Sequence, residues 1–106
     1  MYARSVSIRL KEKSLAEFTL LIEQHALLLV GKQKGFQDEL ALFVPGGREA
    51  VAISLWDEKQ NADRYGRNGY LKLLKALSRV IEGTPQVRTF EVCYSTFHKI
   101  VALARN

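Results

Sequence analysis

Gly35-Phe36-Gln37-Asp38-Glu39-Leu40-Ala41-Leu42-Phe43-Val44-Pro45-Gly46-Gly47-Arg48-Glu49-Ala50-Val51-Ala52-Ile53-Ser54-Leu55-Trp56 is the stretch that decides the fold. It reads as two β-strands joined by a tight turn and closed by the one tryptophan of the chain. Pro45 cannot lie inside a central strand, and Gly46-Gly47 accepts positive φ at little cost, so the turn falls at Pro45-Gly46-Gly47. Strict alternation places Phe36, Leu40, Leu42 and Val44 on one face of the first strand, with Ala41 and Phe43 on the other. In the second strand Val51, Ile53 and Leu55 face one way and Ala52, Ser54 and Trp56 the other. Neither strand has a clearly wet face.

Outward toward the N-terminus, Gly31 is a plausible left-handed helix stop. The helix before it opens on Ser14-Leu15-Ala16-Glu17, the pattern of a capping box, and runs to about Val30. Leu15, Phe18, Leu21, Ile22, His25, Leu28 and Leu29 form its apolar stripe. Ahead of that, residues 2–10 alternate, with Val6, Ile8 and Leu10 against Ser5, Ser7 and Arg9, so they form a strand.

Outward toward the C-terminus, Asp57 is a good N-cap, with Gln60 three residues on. A short helix is predicted over 58–65, an interruption over Gly66-Arg67-Asn68-Gly69, and a second helix from Tyr70 to about Glu82. Its buried stripe is Leu71, Leu74, Leu77 and Ile81, and Gly83-Thr84-Pro85 ends it. Val87 to Phe97 is the last strand, apolar on both faces, and 98–106 is a tail.

The order β-α-β-β-α-β is the ferredoxin-like arrangement, an α+β fold with four antiparallel strands and two helices on one face. With 106 residues the chain fits one domain, over 1–97. Two helices cover one face of the sheet only, and the other face carries bulky apolar groups. Soluble monomers rarely leave such a patch bare, so a homodimer joined sheet to sheet is expected.

Composition excludes several classes. The single cysteine, Cys93, rules out an internal disulfide and cysteine-rich zinc patterns. It reads as a small buried hydrophobe, because nothing near it in sequence lowers its pKa. No apolar run reaches the ~20 residues a bilayer span needs, and no secretory signal is visible, so a cytoplasmic protein without a membrane partner is expected. The formal net charge is +5. Lys59, Arg64, Arg67, Lys72, Lys75 and Arg79 are opposed in their own window by Asp63 alone. That stretch either attracts an anion or is a solvated helix face. No nucleic-acid signature or phosphate-binding loop accompanies it, so nucleic acid is disfavoured.

Gly35-Phe36 at the start of the second strand, Trp56 at the end of the third, and Ala62 and Tyr65 in the short helix beyond form a pattern. It resembles the antibiotic biosynthesis monooxygenase-like family of dimeric α+β barrel proteins, over about residues 2–97. The resemblance implies a two-subunit barrel with a small cavity in each subunit, between sheet and helices. Some members oxidise aromatic polyketide-like substrates with O₂ and no cofactor; others degrade haem. The haem-degrading branch pairs a first-strand Asn and the Trp with a His about ten residues beyond the Trp. Here the first strand has Ser5 and Ser7, and Gly66 stands ten beyond Trp56, which argues against haem degradation.

The candidate catalytic residues are His25, Trp56 and Tyr65. Trp56 offers an apolar wall and one N–H donor, or simply fills the core. His25 titrates near neutrality and could serve as a cavity base, or be a satisfied residue on a buried stripe. Tyr65 and Tyr70 flank the glycine-bounded break and mark either a cavity mouth or a kink. Tyr70 and Tyr94 are the candidate ligand-binding residues. No cofactor is expected. The leading expectation is a small ligand-binding dimer with cofactor-independent oxygenation of an aromatic or phenolic molecule. The alternatives are a non-catalytic sensor or interaction domain of the same fold and, third, nucleic-acid binding through the basic helix.

Overall fold

The computed structural model describes residues 1–97, 100 and 101. The elements are β1 (Tyr2–Leu10), α1 (Leu15–Leu28), β2 (Phe36–Phe43), β3 (Glu49–Trp56), α2 (Lys59–Arg67), α3 (Gly69–Leu77), β4 (Ile81–Glu91), β5 (Tyr94–Ser95) and β6 (Ile100–Val101). A 3₁₀ turn, Val30–Lys32, follows α1. The main sheet is antiparallel in the order β2-β3-β1-β4, and β5 pairs with β6. This is the expected α+β, ferredoxin-like arrangement, with the second helical segment divided in two.

The core lies between this sheet and the helices. Val6, Ile8 and Leu10 from β1 and Ala50, Ala52 and Trp56 from β3 meet Phe18 and Ile22 of α1, Ala62 and Tyr65 of α2, and Tyr70, Leu73 and Leu77 of α3. The small residues of β3 let the helices approach closely, while Trp56 fills the end of the layer. On the other face Leu40 and Leu42 are exposed, and Val51, Ile53 and Leu55 are half-buried. On β1 that face turns polar through Ser5, Ser7 and Arg9.

Several local expectations change. Phe36 does not share a face with Leu40 and Leu42. Phe36 pairs with Trp56 while Asp38 pairs with Leu55, so β2 carries one extra residue at Gln37. The bulge reverses the alternation. Phe36, Glu39, Ala41 and Phe43 therefore lie on the helix side, opposite Trp56, Ser54, Ala52 and Ala50.

The capping box at Ser14 does not form: the Ser14 hydroxyl donates to the carbonyl of Glu12 at 3.3 Å instead. Gly31 is not left-handed, because the chain leaves α1 through Leu29 (φ −131°, ψ −65°) into the 3₁₀ turn. Leu28 consequently points to solvent. Between α1 and β2 the left-handed conformation is taken by Gly35, at φ +83°. A Cβ there would run into Asp57 and Asn61, so this glycine is what lets β2 start beside α2.

The N-cap of α2 is Glu58 rather than Asp57. Asp57 Oδ1 accepts instead from the Asn61 side-chain amide at 2.8 Å, and the Asp57 amide donates to the Gly35 carbonyl. The break between α2 and α3 falls at Asn68, and α3 stops at Leu77 rather than Glu82. The Ser78 hydroxyl turns back onto the Lys75 carbonyl at 2.9 Å, and the Val80 amide onto that of Leu77. Rotation at Asn68 puts Tyr70, Leu73 and Leu77 inside and leaves Leu71 exposed. Ile81 opens β4. Gly83 (φ +70°) and Pro85 are absorbed as a bulge within β4, where Ser7 faces Gln86 and Arg9 faces Glu82. The fourth strand thus runs from Ile81 to Glu91, not from Val87 to Phe97, and Tyr94–Ser95 form the separate β5. Of the expected tail 98–106, only 100 and 101 are among the described residues, in β6. Cys93 is exposed, not buried, in the turn between β4 and β5.

Candidate functional site

Four of the five sequence candidates meet under the helices. Trp56 has no solvent exposure. Its indole stacks on Tyr65 (centroids 5.0 Å apart, 29° between planes) and meets the edge of Phe36 at 5.8 Å. Its N–H donates to the Ser54 hydroxyl at 2.9 Å, an i, i+2 pair on the inner face of β3. The Tyr65 hydroxyl lies 2.8 Å from His25 Nε2, which ties α2 to α1. Tyr70, just beyond the break, is buried beside them. Tyr94 is not part of this group: it lies on β5 and is 63% exposed.

Sequence reasoning missed Arg4 and Glu39. Arg4 occupies the inner face of β1, ahead of Val6, and is only 7% exposed. Its guanidinium lies 4.0 Å from the centre of the Tyr70 ring and 5.5 Å from that of Tyr65. A Cβ at position 66 would come within 3.2 Å of Arg4 Nε and Nη2, so Gly66 leaves room for this cation. Arg4 Nη1 is buried and has no hydrogen-bond partner among the described residues. The same holds for Glu39 Oε2. The strand register places the two in one lateral row: Glu39 faces Ser54, and Ser54 faces Arg4.

Burial sets the protonation states. It pushes the Glu39 carboxyl, whose ordinary value is 4.5, up to about 7, and the charge of Asp38 adds to this. It holds the His25 imidazole below its usual range and thus neutral near pH 7. It raises the Tyr65 hydroxyl, with Glu39 adding to the effect, so Tyr65 remains a phenol. The site therefore holds a neutral His–Tyr pair, a cation with a free donor and a carboxyl that titrates near neutrality. Such groups can bind an aromatic molecule and take or return a proton.

The space that the resemblance implied as a cavity beside Trp56 is occupied by the Phe36 and Tyr65 rings. A groove of about 420 Å³ opens instead on the other face of the sheet, by Ser7, Glu49, Glu82 and Gln86. Among the described residues no group of three or more His, Cys, Asp or Glu side chains is placed to hold a metal ion. Among the same residues no helix is long and apolar enough to cross a membrane. The basic stretch is partly neutralised: Lys59 pairs with Asp63 at 2.8 Å, and Arg79 with Glu17 at 2.9 Å.

No family model matches the sequence, and no curated protein sequence does. Solved structures do match. One is SnoaB from Streptomyces nogalater, a cofactor-independent oxygenase, at 18% identity and a TM-score of 0.72, covering 90% of this chain and 95% of that one. A candidate antibiotic biosynthesis monooxygenase from Nitrosomonas europaea aligns at 12% identity and a TM-score of 0.73, over 89% of this chain and 100% of its own. A protein of unknown function from the same organism aligns at 15% identity and a TM-score of 0.73, over 90% and 91%. At these identities the likeness is one of fold: the chain shares the fold of the antibiotic biosynthesis monooxygenase structures.

Proposed function

We propose that residues 1–97 form a homodimeric domain that binds an electron-rich aromatic or phenolic molecule and oxidises it with O₂, without an organic cofactor. The observation that carries this reading is the buried His25–Tyr65 hydrogen bond stacked on Trp56. In this reading the two groups would exchange a proton against the Trp56 ring, and all three side chains are buried. The shared fold with a cofactor-independent oxygenase supports it. In the reaction a methylene flanked by phenolic rings loses a proton to the protein, and the carbanion supplies the electrons that reduce O₂. The peroxide formed at that carbon loses water and leaves a carbonyl, so CH₂ and O₂ become C=O and H₂O. Trp56 and Tyr70 would hold the rings. His25 and Tyr65 would pass the proton.

An oxygen electrode tests this with anthrone as substrate. Uptake above background is expected from the native protein, and at least a tenfold lower rate from His25→Ala. Equal rates from both, or none from the native protein, reject the oxygenase reading.

The tight packing around Trp56 favours a second reading, a non-catalytic sensor or interaction domain of the same fold. It predicts ligand binding without oxygen uptake.

The dimer belongs to either reading. Leu40, Leu42, Val51, Ile53 and Leu55 form an apolar area on the uncovered face. Burial is worth about 25 cal/mol per Å² of apolar surface, enough for stable pairing once several hundred Å² are covered. Light scattering at micromolar concentration is expected to give twice the chain mass. Leu42→Lys should shift it to the monomer value.

A further inference from the structure

The outward side of the helical layer carries leucines where a solvated face would carry polar groups. Leu20 and Leu27 are exposed, and their two-turn spacing puts them on one line of α1, away from the buried Phe18, Ile22 and His25. Leu27 and Leu28 are 68% and 71% exposed, so they project from the end of the helix, and Leu71 of α3 is exposed as well. The helices α1 and α3 run antiparallel. Arg79, beyond the end of α3, pairs with Glu17 near the start of α1. At the other end a Cβ on Gly69, the first residue of α3, would lie 3.7 Å from Leu29 Cδ2. Leu27 and Leu28 therefore sit at the same end of the layer as Leu71. Cations surround that end. Lys32 and Lys34 follow α1, Arg64 and Arg67 lie in the last turn of α2, and Lys72 and Lys75 accompany Leu71 on α3; all six are exposed. Among the described residues none of the six forms an ion pair with a carboxylate. Arg64 donates to the neutral Asn61 side chain and keeps its charge. Against them α1 sets one exposed carboxylate, Glu23.

We propose that this end of the helical layer docks on an anionic phospholipid membrane. Leu27, Leu28 and Leu71 enter the boundary between headgroups and acyl chains, and the surrounding Lys and Arg side chains meet lipid phosphates. Apolar side chains that project from a helix amid cations suit a helix lying on such a surface. Charge and apolarity together select this occupant. A second copy of the chain would bring the same positive charge against this end, which repels it. A nucleic acid is held through phosphates and base edges, so it would satisfy the cations and leave the leucines in water. An anionic bilayer attracts the cations and buries the leucines at once. The contact is peripheral and needs no spanning helix, and none is present among the described residues. Such docking departs from the expectation of no membrane partner, which rested on the lack of a spanning run. The helical layer lies opposite the sheet face proposed for pairing, so both surfaces can be engaged together.

Co-sedimentation of the whole chain with sucrose-loaded vesicles tests the proposal. Vesicles of phosphatidylcholine with about 30% phosphatidylglycerol are expected to bind the native protein roughly tenfold more tightly than phosphatidylcholine alone. That binding should fall roughly tenfold between about 0.1 M and about 0.5 M salt. The double variant Leu27→Ser, Leu28→Ser should bind the anionic vesicles roughly tenfold more weakly. The double variant Arg67→Glu, Lys72→Glu should bind them no better than phosphatidylcholine alone. All four positions are exposed, so both variants are expected to melt with the native protein, and the native series needs no variant to fold. No binding to the anionic vesicles, equal binding to the two compositions, or binding indifferent to salt would overturn the proposal. Unchanged binding in the leucine variant would overturn it too. So would a DNA duplex bound as tightly as the anionic vesicles, which would make this end a nucleic-acid surface instead.

Discussion

Trp56→Ala is expected to cost about 3–5 kcal/mol of folding stability, the range for removing a fully buried large aromatic side chain. The indole has no exposed surface, stacks on Tyr65, meets Phe36 and donates to Ser54. Its removal opens a void between the ends of β1, β2 and β3 and the α2 helix. It also leaves the Ser54 hydroxyl without its donor. Small domains hold only about 5–15 kcal/mol in total, so this is a large share of what keeps the chain folded. For a domain of this size each kcal/mol shifts the melting temperature by about 4–8 °C. Thermal unfolding followed by circular dichroism should show a fall of more than 10 °C, or no folded state at all. Trp56→Phe keeps a ring in the stack and should fall by less. A melting temperature within 5 °C of the native value for Trp56→Ala would show that this end of the layer is not packed as described.

Glu39→Gln is expected to stabilise the protein in mild alkali and to leave it unchanged in acid. The folded-state carboxyl is raised from 4.5 to about 7 by burial, and by Asp38 beside it. Between those two values the folded chain holds a proton that the unfolded chain has released. Stability therefore falls as pH rises through that window, and above it the loss is complete. Because the side chain is only partly buried, the loss is about 1–2 kcal/mol once solvent screening is allowed for. The glutamine amide has the same shape and no charge, so it removes this dependence.

Arg4 on β1, His25 on α1 and Tyr65 on α2 share the layer with Glu39, and Asp38 is next to it on β2 but on the opposite face of the sheet. His25 acts with the opposite sign. Its folded pKa is lowered, so stability is lost as pH falls through and below 6.5, where the unfolded imidazole takes a proton first. Melting temperatures from pH 4.5 to 8.5 should therefore decline on the alkaline side in the native protein and not in Glu39→Gln. Parallel curves for the two would show that Glu39 is not held in the protonated form.

The sheet order was legible because its signals are local and strong. Alternation in β1, the Pro45-Gly46-Gly47 turn and the helical spacing of Phe18, Ile22 and His25 each point to one element, and the element order then leaves few topologies. His25 was legible as a polar residue on an apolar stripe, Trp56 as a large aromatic at a strand end, and Tyr65 and Tyr70 as the tyrosines that flank the glycine-bounded break. Arg4 was within reach: it has the same parity as Val6, Ile8 and Leu10, and a charged residue on a buried face is the informative exception. Glu39 was not. The extra residue at Gln37 reverses the alternation, and counting from Phe36 assigns Glu39 to the wrong side. The limits of α3 were misplaced for a related reason. Leu77 to Ile81 continues a helical spacing that the chain abandons at Ser78, where a side-chain hydroxyl takes over a backbone carbonyl.

The irregularities of β2 and β4 share a consequence. These are the two outer strands of the main sheet, and each is interrupted, one at Gln37 and the other around Gly83 and Pro85. An uninterrupted border strand offers a row of unsatisfied amides and carbonyls on which a foreign strand can grow, and kinks of this kind are a recognised defence against it. Rim-to-rim growth into fibrils is disfavoured on both sides of this molecule. The flat of the uncovered face, where the dimer is proposed, is left as the surface open to a second copy.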